Sequence, residues 1–175
     1  MEKKNKMKLI QPNQKYENSW KTAIKEFEDE GVNGFWTIPS KPATIEEYIQ
    51  RTKDHSAGIN IPENWMKATT FWLIDNDILV GHVNLRHVLV EWSTKIGGHI
   101  GFAIRPTSRR SGYGTKILEM VLPEAKRIGL KKALVTCDDN NIASVKIIEM
   151  NGGKLQDSNE VKGRMVRRYW INIFY

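Results

Sequence analysis

Between Tyr16 and Asp29 the apolar side chains fall at Tyr16, Trp20, Ala23, Ile24 and Phe27. That three-and-four spacing puts them on one face of a helix, and Gly31 and Gly34 break the pattern. Thr44-Ile45-Glu46-Glu47 reads as a capping box, with Thr44 as N-cap and Glu47 at the third helical position. It predicts a second helix running to about Lys53. His55 to Trp65, holding Gly58 and Pro62, predicts a loop. Ahead of both helices, Lys8-Leu9-Ile10 reads as a short strand ended by Pro12.

After Trp65 the period changes. Ala68 to Asp75 is strand-like, and Asp75-Asn76-Asp77 is a turn. From Ile78 to Leu89 the pattern alternates. Leu79, Val83, Leu85 and Leu89 share one face, and His82, Asn84 and Arg86 point the other way. This reading makes His82 and His87 solvent-facing. Glu91 to Gly98 is a connection, and Gly98 to Ile104 another strand. A long helix is predicted over Gly112 to Ile128, with Ile117, Leu118, Val121, Leu122, Ala125 and Ile128 inward. Pro123 should kink it, since it offers no N–H to the carbonyl of Glu119. Lys132 to Cys137 is a strand, and Asn141 to Met150 a helix closed by Asn151-Gly152-Gly153. Two strands, Lys154 to Val161 and Arg164 to Phe174, turn about Lys162-Gly163. The order β-α-α-β-β-β-α-β-α-β-β predicts an α/β (α+β) domain with a mixed sheet.

The 175 residues are 40% hydrophobic and 27% charged, the balance of a globular chain of one domain, residues 1–175. A lone Cys137 makes no intrachain bridge and points to a reducing compartment. No apolar run reaches the length of a membrane span. The charged N-terminus is followed by no apolar segment, so it does not read as a secretory signal. The expected location is cytoplasmic, with no membrane partner. Net charge is +7, and Arg105 to Lys132 holds eight basic residues against two acids. Such a stretch invites a polyanion. It lacks the aromatic interleaving of a single-strand binder and any helix-turn-helix pattern, so no nucleic acid is expected. The histidines and the cysteine show no metal-ligand spacing, and no metal is expected.

The densest chemistry lies in Arg105-Pro106-Thr107-Ser108-Arg109-Arg110-Ser111-Gly112-Tyr113-Gly114-Thr115, between a strand and a helix. The first amides of a helix have no internal partner, and the helix dipole adds positive potential there. Two glycines allow a close approach of backbone to ligand. Arginines can pair with outer phosphate oxygens. Together these suit a diphosphate. Neither the dinucleotide fingerprint nor the P-loop fits, because Ile117 stands at the third glycine position and no Gly-Lys-Thr comes after it.

Arg109-x-x-Gly112-x-Gly114 resembles the acetyl-CoA motif of the GNAT superfamily of N-acyltransferases. The strand Ala133 to Cys137 and the Asn141-led helix ending at Gly152-Gly153 are similar to the next two elements of that family. The resemblance covers residues 98–153 specifically, as the acetyl-CoA-binding core. It covers 68–97 and 154–175 by element order, and leaves 1–65 as acceptor-side helices. It implies a three-layer fold: a mostly antiparallel mixed sheet of six to seven strands flanked by about four helices. It also implies that amides from Arg109 through Arg110, Ser111, Gly112, Tyr113 and Gly114 to Thr115 hold the CoA pyrophosphate. The strand edge at Phe102, Ala103 and Ile104 would bond the pantetheine arm as an added strand. Asn141 and Ser144 would flank the same arm. Acetyl-CoA is then the co-substrate, and a small-molecule amine or a protein amine the acceptor.

Acetylating an amine requires removing a proton, because roughly one alkyl ammonium in two thousand is neutral at pH 7. The family's base position falls near His99, and Glu91 lies just before the strand. Either is a candidate base, and either could equally be structural. The Tyr that often protonates the leaving thiolate in this family is replaced by Ile148, which cannot donate. That departure leaves a non-catalytic acyl-CoA sensor as the alternative, with a basic nucleic-acid-binding domain, suggested by the charged stretch, ranked behind it. Cys137 reads as a small buried hydrophobe, with an acyl-cysteine step as the rival. Trp36, Trp65, Trp72 and Trp92 are candidates for an acceptor pocket or for the core. The last strand, with Trp170 and Phe174, offers an edge on which a homodimer could form; a monomer fits equally.

Overall fold

The computed structural model describes residues 7–32 and 41–173, so Trp36 and Phe174 lie outside the described residues. The elements are β1 (Lys8–Ile10), α1 (Glu17–Asp29), α2 (Ile45–Ala57), β2 (Ala68–Asp75), β3 (Ile78–Arg86), α3 (Glu91–Lys95) and β4 (Ile100–Ile104). They continue as α4 (Tyr113–Arg127), β5 (Lys132–Asp138), α5 (Ile142–Met150), β6 (Lys154–Val161) and β7 (Arg164–Asn172). The seven strands make one mixed sheet in the order β1-β2-β3-β4-β5-β7-β6. Every neighbouring pair is antiparallel except β4 and β5.

Hydrophobic burial divides by sheet face. One face packs Ile117, Leu118, Val121 and Ala125 of α4 and Val145 and Ile148 of α5 on Val83, Leu85, Ile100 and Val135. The other packs Trp20, Ala23, Ile24 and Phe27 of α1 and Ile45 and Tyr48 of α2 on Trp72, Ile74 and Leu79. Helix, sheet and helix thus form three layers, as the resemblance implied. Both hairpins turn as their sequences ask: Asn76-Asp77 and Lys162-Gly163 each place two residues at positive φ, the geometry that matches strand twist.

Several details depart from the sequence reading. The α2 helix runs on to Ala57 and ends at Gly58, whose φ is +79°. His55 therefore sits in a helix, buried, with Nε2 on the carbonyl of Met66 at 3.0 Å. Thr44 caps the Glu47 amide as expected, but Glu47 accepts from the amide of Ala43, one residue before the cap. The connection after β3 contains the short α3. The α4 helix continues through Pro123 for about one further turn.

The strand β3 ends at Arg86 and carries a bulge: Leu73 faces Gly81 while Ile74 faces Leu79. The extra residue, Val80, reverses the alternation. Leu79 consequently packs under α1 and α2, whereas Val83 and Leu85 pack under α4. His82 is not solvent-facing but 2% exposed, because α1 covers that face of β3, with the ring of Phe27 6.4 Å away. His87 is half-buried, its Nε2 2.9 Å from Thr69 Oγ1. The last strand is no edge either, since β7 lies between β5 and β6.

Candidate active site

The turn into α4 is shaped by two left-handed residues, Arg110 (φ +62°) and Gly112 (φ +79°). Gly112 is the N-cap and has no capping side chain. The first helical bond runs from the Lys116 amide to the Gly112 carbonyl at 3.1 Å. Among the described residues, no protein acceptor meets the amides of Arg110, Ser111, Gly112, Tyr113, Gly114 or Thr115. Successive amides in a left-handed turn converge into an anion-binding concavity. Nothing stands within 4 Å of a Cβ built on Gly112, so the space above it is open. Gly114 serves a different purpose: a Cβ there would meet Ile147 Cδ1 at 2.4 Å, so its absence lets α4 pack close against α5.

The turn is anchored from α1. Glu26 accepts from Arg105 Nε at 2.9 Å and Nη2 at 2.7 Å, and from the Thr107 amide and hydroxyl. Burial pushes the Glu26 carboxyl up, but these donors outweigh it and hold it below its usual range. Four residues on, Glu30 takes the Arg109 guanidinium in a two-pronged pair at 2.8–2.9 Å. Tyr113 reaches across to Asp75 at 2.8 Å.

Beside this turn the sheet opens. The strands β4 and β5 pair only at Ile100 and Val135, and separate beyond that point. The antiparallel partner β3 engages the odd residues of β4, as in Arg86 N–H to His99 O and Arg105 N–H to Val80 O. By alternation, the backbone of Phe102 and Ile104 faces the gap, while Ala103 is paired with His82. A cleft of about 610 Å³ runs from the gap to the turn. Eleven of the twelve residues expected around a cofactor line it: Phe102, Ala103, Ile104, Arg109, Arg110, Gly112, Tyr113, Gly114, Thr115, Asn141 and Ser144. Ser111 lies just outside. A smaller pocket of about 260 Å³ continues between the strands and shares Phe102, Asn141 and Ser144. Asn141 caps α5, its Oδ1 accepting from the Ser144 amide at 3.1 Å.

A strand that ends in an uncapped amide turn is what the resemblance implied, and here it stands beside a gap between two parallel strands. The acetyltransferase (GNAT) domain model matches residues 16–154, well over half of the chain. The chain belongs to the GNAT acetyltransferase family. Solved GNAT-like structures agree in fold. MccE, a microcin C7 self-immunity acetyltransferase solved with acetyl-CoA and AMP, superposes with a TM-score of 0.68. Its identity is 16%, over 97% of this chain and 93% of its own. RimL, a ribosomal α-N-protein acetyltransferase solved with coenzyme A, gives 0.66 at 15% identity, over 95% and 94%. An N-acetyltransferase of Staphylococcus aureus Mu50 gives 0.64 at 16%, over 97% and 99%. No curated protein sequence matches the chain.

Within this GNAT frame the two base candidates sit in opposite surroundings. His99 is buried, and its Nδ1 accepts from the Leu134 amide at 2.9 Å while its own amide donates to the Leu134 carbonyl at 2.7 Å. The ring thus fills in for a missing backbone acceptor where the two parallel strands part. With Nδ1 so engaged, the neutral ring carries its proton on Nε2 and keeps no free lone pair. Burial, helped by the Arg86 charge, pushes its pKa down to about 4. Glu91 is an exposed acid paired with Lys95 at 3.4 Å, its side chain 90% exposed. Ile148 is fully buried in the larger core. Cys137 lines the smaller pocket, and burial raises its thiol to about 11, which leaves almost no thiolate for an acyl-cysteine step. Of the tryptophans, Trp72 is core, while Trp65 and Trp92 lie 6.4 Å apart at the end of β3. No group of three or more metal-ligating side chains, and no helix long and apolar enough to cross a membrane, occurs among the described residues.

Sequence reasoning missed Glu26, Glu30 and Arg86. The i, i+4 spacing of the two glutamates was visible, but not that α1 aims them at the turn. Arg86 was placed on the correct strand face without its neighbours.

Proposed function

We propose that this GNAT acetyltransferase transfers the acetyl group of acetyl-CoA to a primary amine, with a small molecule favoured over a protein as acceptor. The observation that carries the reading is the row of unpartnered amides from Arg110 to Thr115, opening onto a cleft bounded by the free edge of β4. The turn would hold the pyrophosphate, Phe102 and Ile104 the pantetheine amides, and Asn141 and Ser144 the far side of the arm. The binding of acetyl-CoA and of coenzyme A by the structural neighbours supports this choice. A small acceptor suits the pocket of about 260 Å³ between β4 and β5.

The thioester supplies the activated acyl group, so the protein's work is orientation and exclusion of water. His99 is read as a positioning group that holds the parted strands, and Glu91 as a surface acid. The ammonium proton is then lost to water in the cleft before attack. With Ile148 in place of a donor, the thiol leaves as thiolate. Isothermal calorimetry tests the reading: coenzyme A should bind in the micromolar range, and no detectable heat would end it. The buried Ile148 favours one rival, an acyl-CoA-binding module without turnover. Thiol release from acetyl-CoA over a panel of amines separates the two, since the rival predicts the no-enzyme rate throughout.

A further inference from the structure

Ion pairs recur across the described residues, and both arginines that buttress the phosphate turn are held by glutamates. Arg86 is different. It ends β3 on the face covered by α1 and α2, and it is half-buried. Its Nη1 donates to the carbonyls of Gly97 at 3.0 Å and Gly98 at 3.1 Å. The Trp92 ring lies 5.7 Å from the guanidinium carbon. Among the described residues, no carboxylate lies within ion-pair distance, and Nη2 and Nε have no protein acceptor. The groups whose charge reaches this corner are basic: Arg86 acts on His55 and His99, and Lys67 on His87. The nearest acid on the adjoining helix, Glu91, points to solvent and is paired with Lys95.

A guanidinium partly withdrawn from water without a counter-ion is unfavourable unless something else supplies the charge. Its position says what that is. Gly101 of β4 lies directly against it: a Cβ there would sit 3.6 Å from Nη1 and 3.8 Å from Nη2. Gly101 also lines the pocket where β4 and β5 part. Arg86 does not itself line that pocket, but with no side chain at 101 its guanidinium packs directly beside the β4 backbone that does. Trp92, 38% exposed, and Trp65 wall the outer side.

Building on the acyl-transfer reading, we propose that Arg86 binds an oxyanion carried by the acceptor itself. The substrate class is then small zwitterionic amines, with a carboxylate or a phosphate a few bonds from the nitrogen. A fork of two donors, Nη2 and Nε, matches either group.

Matched pairs of amines test this: β-alanine against 3-aminopropanol, and phosphoethanolamine against ethanolamine. Direct binding is read by saturation-transfer NMR and acetylation by thiol release. The anionic member of at least one pair should bind and show kcat/KM at least about tenfold above its neutral partner. Which pair responds tells carboxylate from phosphate. That ratio should fall towards one in Arg86→Gln, be partly kept in Arg86→Lys, and shrink in the wild type between about 50 and about 500 mM salt. A purely structural Arg86 would lower turnover of both members alike and leave the ratio unmoved. Equal or better use of the neutral amines, a ratio that survives Arg86→Gln, or no binding of either anionic amine to the wild type overturns the proposal. The salt series and the NMR arm do not depend on the variants folding. Coenzyme A calorimetry on the same samples shows separately whether the acyl-transfer reading itself has failed.

Discussion

At Gly112 and His99, single atoms decide what the site can do. Gly112 sits at φ +79° with open space where a Cβ would go, so Gly112→Ala meets backbone strain of about 1–2 kcal/mol and no clash. The same change at Gly129, φ +88° and equally open at the far end of α4, brings equal strain away from the turn. Urea titration should find both variants destabilised alike, while calorimetry should find coenzyme A weakened at least about tenfold in Gly112→Ala only. Equal affinities in the two variants would mean that the turn is not the phosphate cradle. For His99, an acceptor is what Leu134 N–H needs. His99→Asn can present Oδ1 near the place of Nδ1, whereas His99→Ala leaves a buried amide unpaired, at about 1–3 kcal/mol. Acetyl transfer surviving in the Asn variant would agree with a positioning role; its loss with the fold intact would restore His99 as the base. Titration gives a second check. His82 and His99 are held neutral down to about pH 4 by burial, below the ordinary value near 6.5. The unfolded chain therefore takes up protons first as pH falls. Stability should be level above pH 6.5 and decline between 6.5 and 4, by up to about 3 kcal/mol for each ring. A urea midpoint that did not move across that window would contradict the burial of both.

At the scale of elements, α1 both fills a core and secures the turn into α4. Its buried stripe seats it on β3, and the next face delivers Glu26 to Arg105 and Thr107. The pair is 12% and 17% exposed, so Glu26→Gln leaves a cation short of its partner. The expected loss is about 2 kcal/mol, below the range for fully buried pairs, with coenzyme A affinity weakened alongside because Thr107 is released. Unchanged affinity in Glu26→Gln would make the contact purely structural. Depressed in the fold, Glu26 contributes stability above pH 4 that fades as pH drops further. The sequence revealed α1 and α4 because their apolar positions keep one period along the helix, and α5 because Asn141 opens it and Asn151-Gly152-Gly153 closes it, its apolar residues running round to exposed Ile142 and Met150. It revealed the turn because glycine and proline punctuate chains locally. Val80 was not legible: a bulge depends on how two strands pair, and one extra residue there moved Leu79 to the other core. The burial of His82 was hidden for the same reason, since it needs α1 laid across β3. Arg86 waited on the α3 corner, whose carbonyls fix the guanidinium, and no pattern within β3 reports them.

Taken as a whole, the described residues form two cores and one sheet, and the candidate site belongs to both. The larger core lies under α4 and α5 and carries the amide turn; the smaller one lies under α1 and α2 and holds Trp20 and Trp72. The strands β2 and β3 are shared, with Phe71 and Val83 in one core and Trp72 and Leu79 in the other. Neither core can lose its strands without exposing the other, so unfolding should be a single transition. Trp20 and Trp72 let tryptophan fluorescence probe the smaller core, with Trp65, Trp92 and Trp170 lying outside it, while far-UV circular dichroism reports on the whole. The two should trace the same thermal curve. On the proposed reading coenzyme A would contact residues anchored in the larger core, yet the ties from Glu26 and Glu30 reach the smaller one. At one hundred times its dissociation constant it adds about 2.7 kcal/mol to the folded state, or roughly 5–10 °C for a chain of this length. Both signals should shift by that amount together. A fluorescence transition that stayed in place while the dichroism moved would show that α1 and α2 melt on their own, and that the glutamate ties do not carry cofactor binding across the sheet.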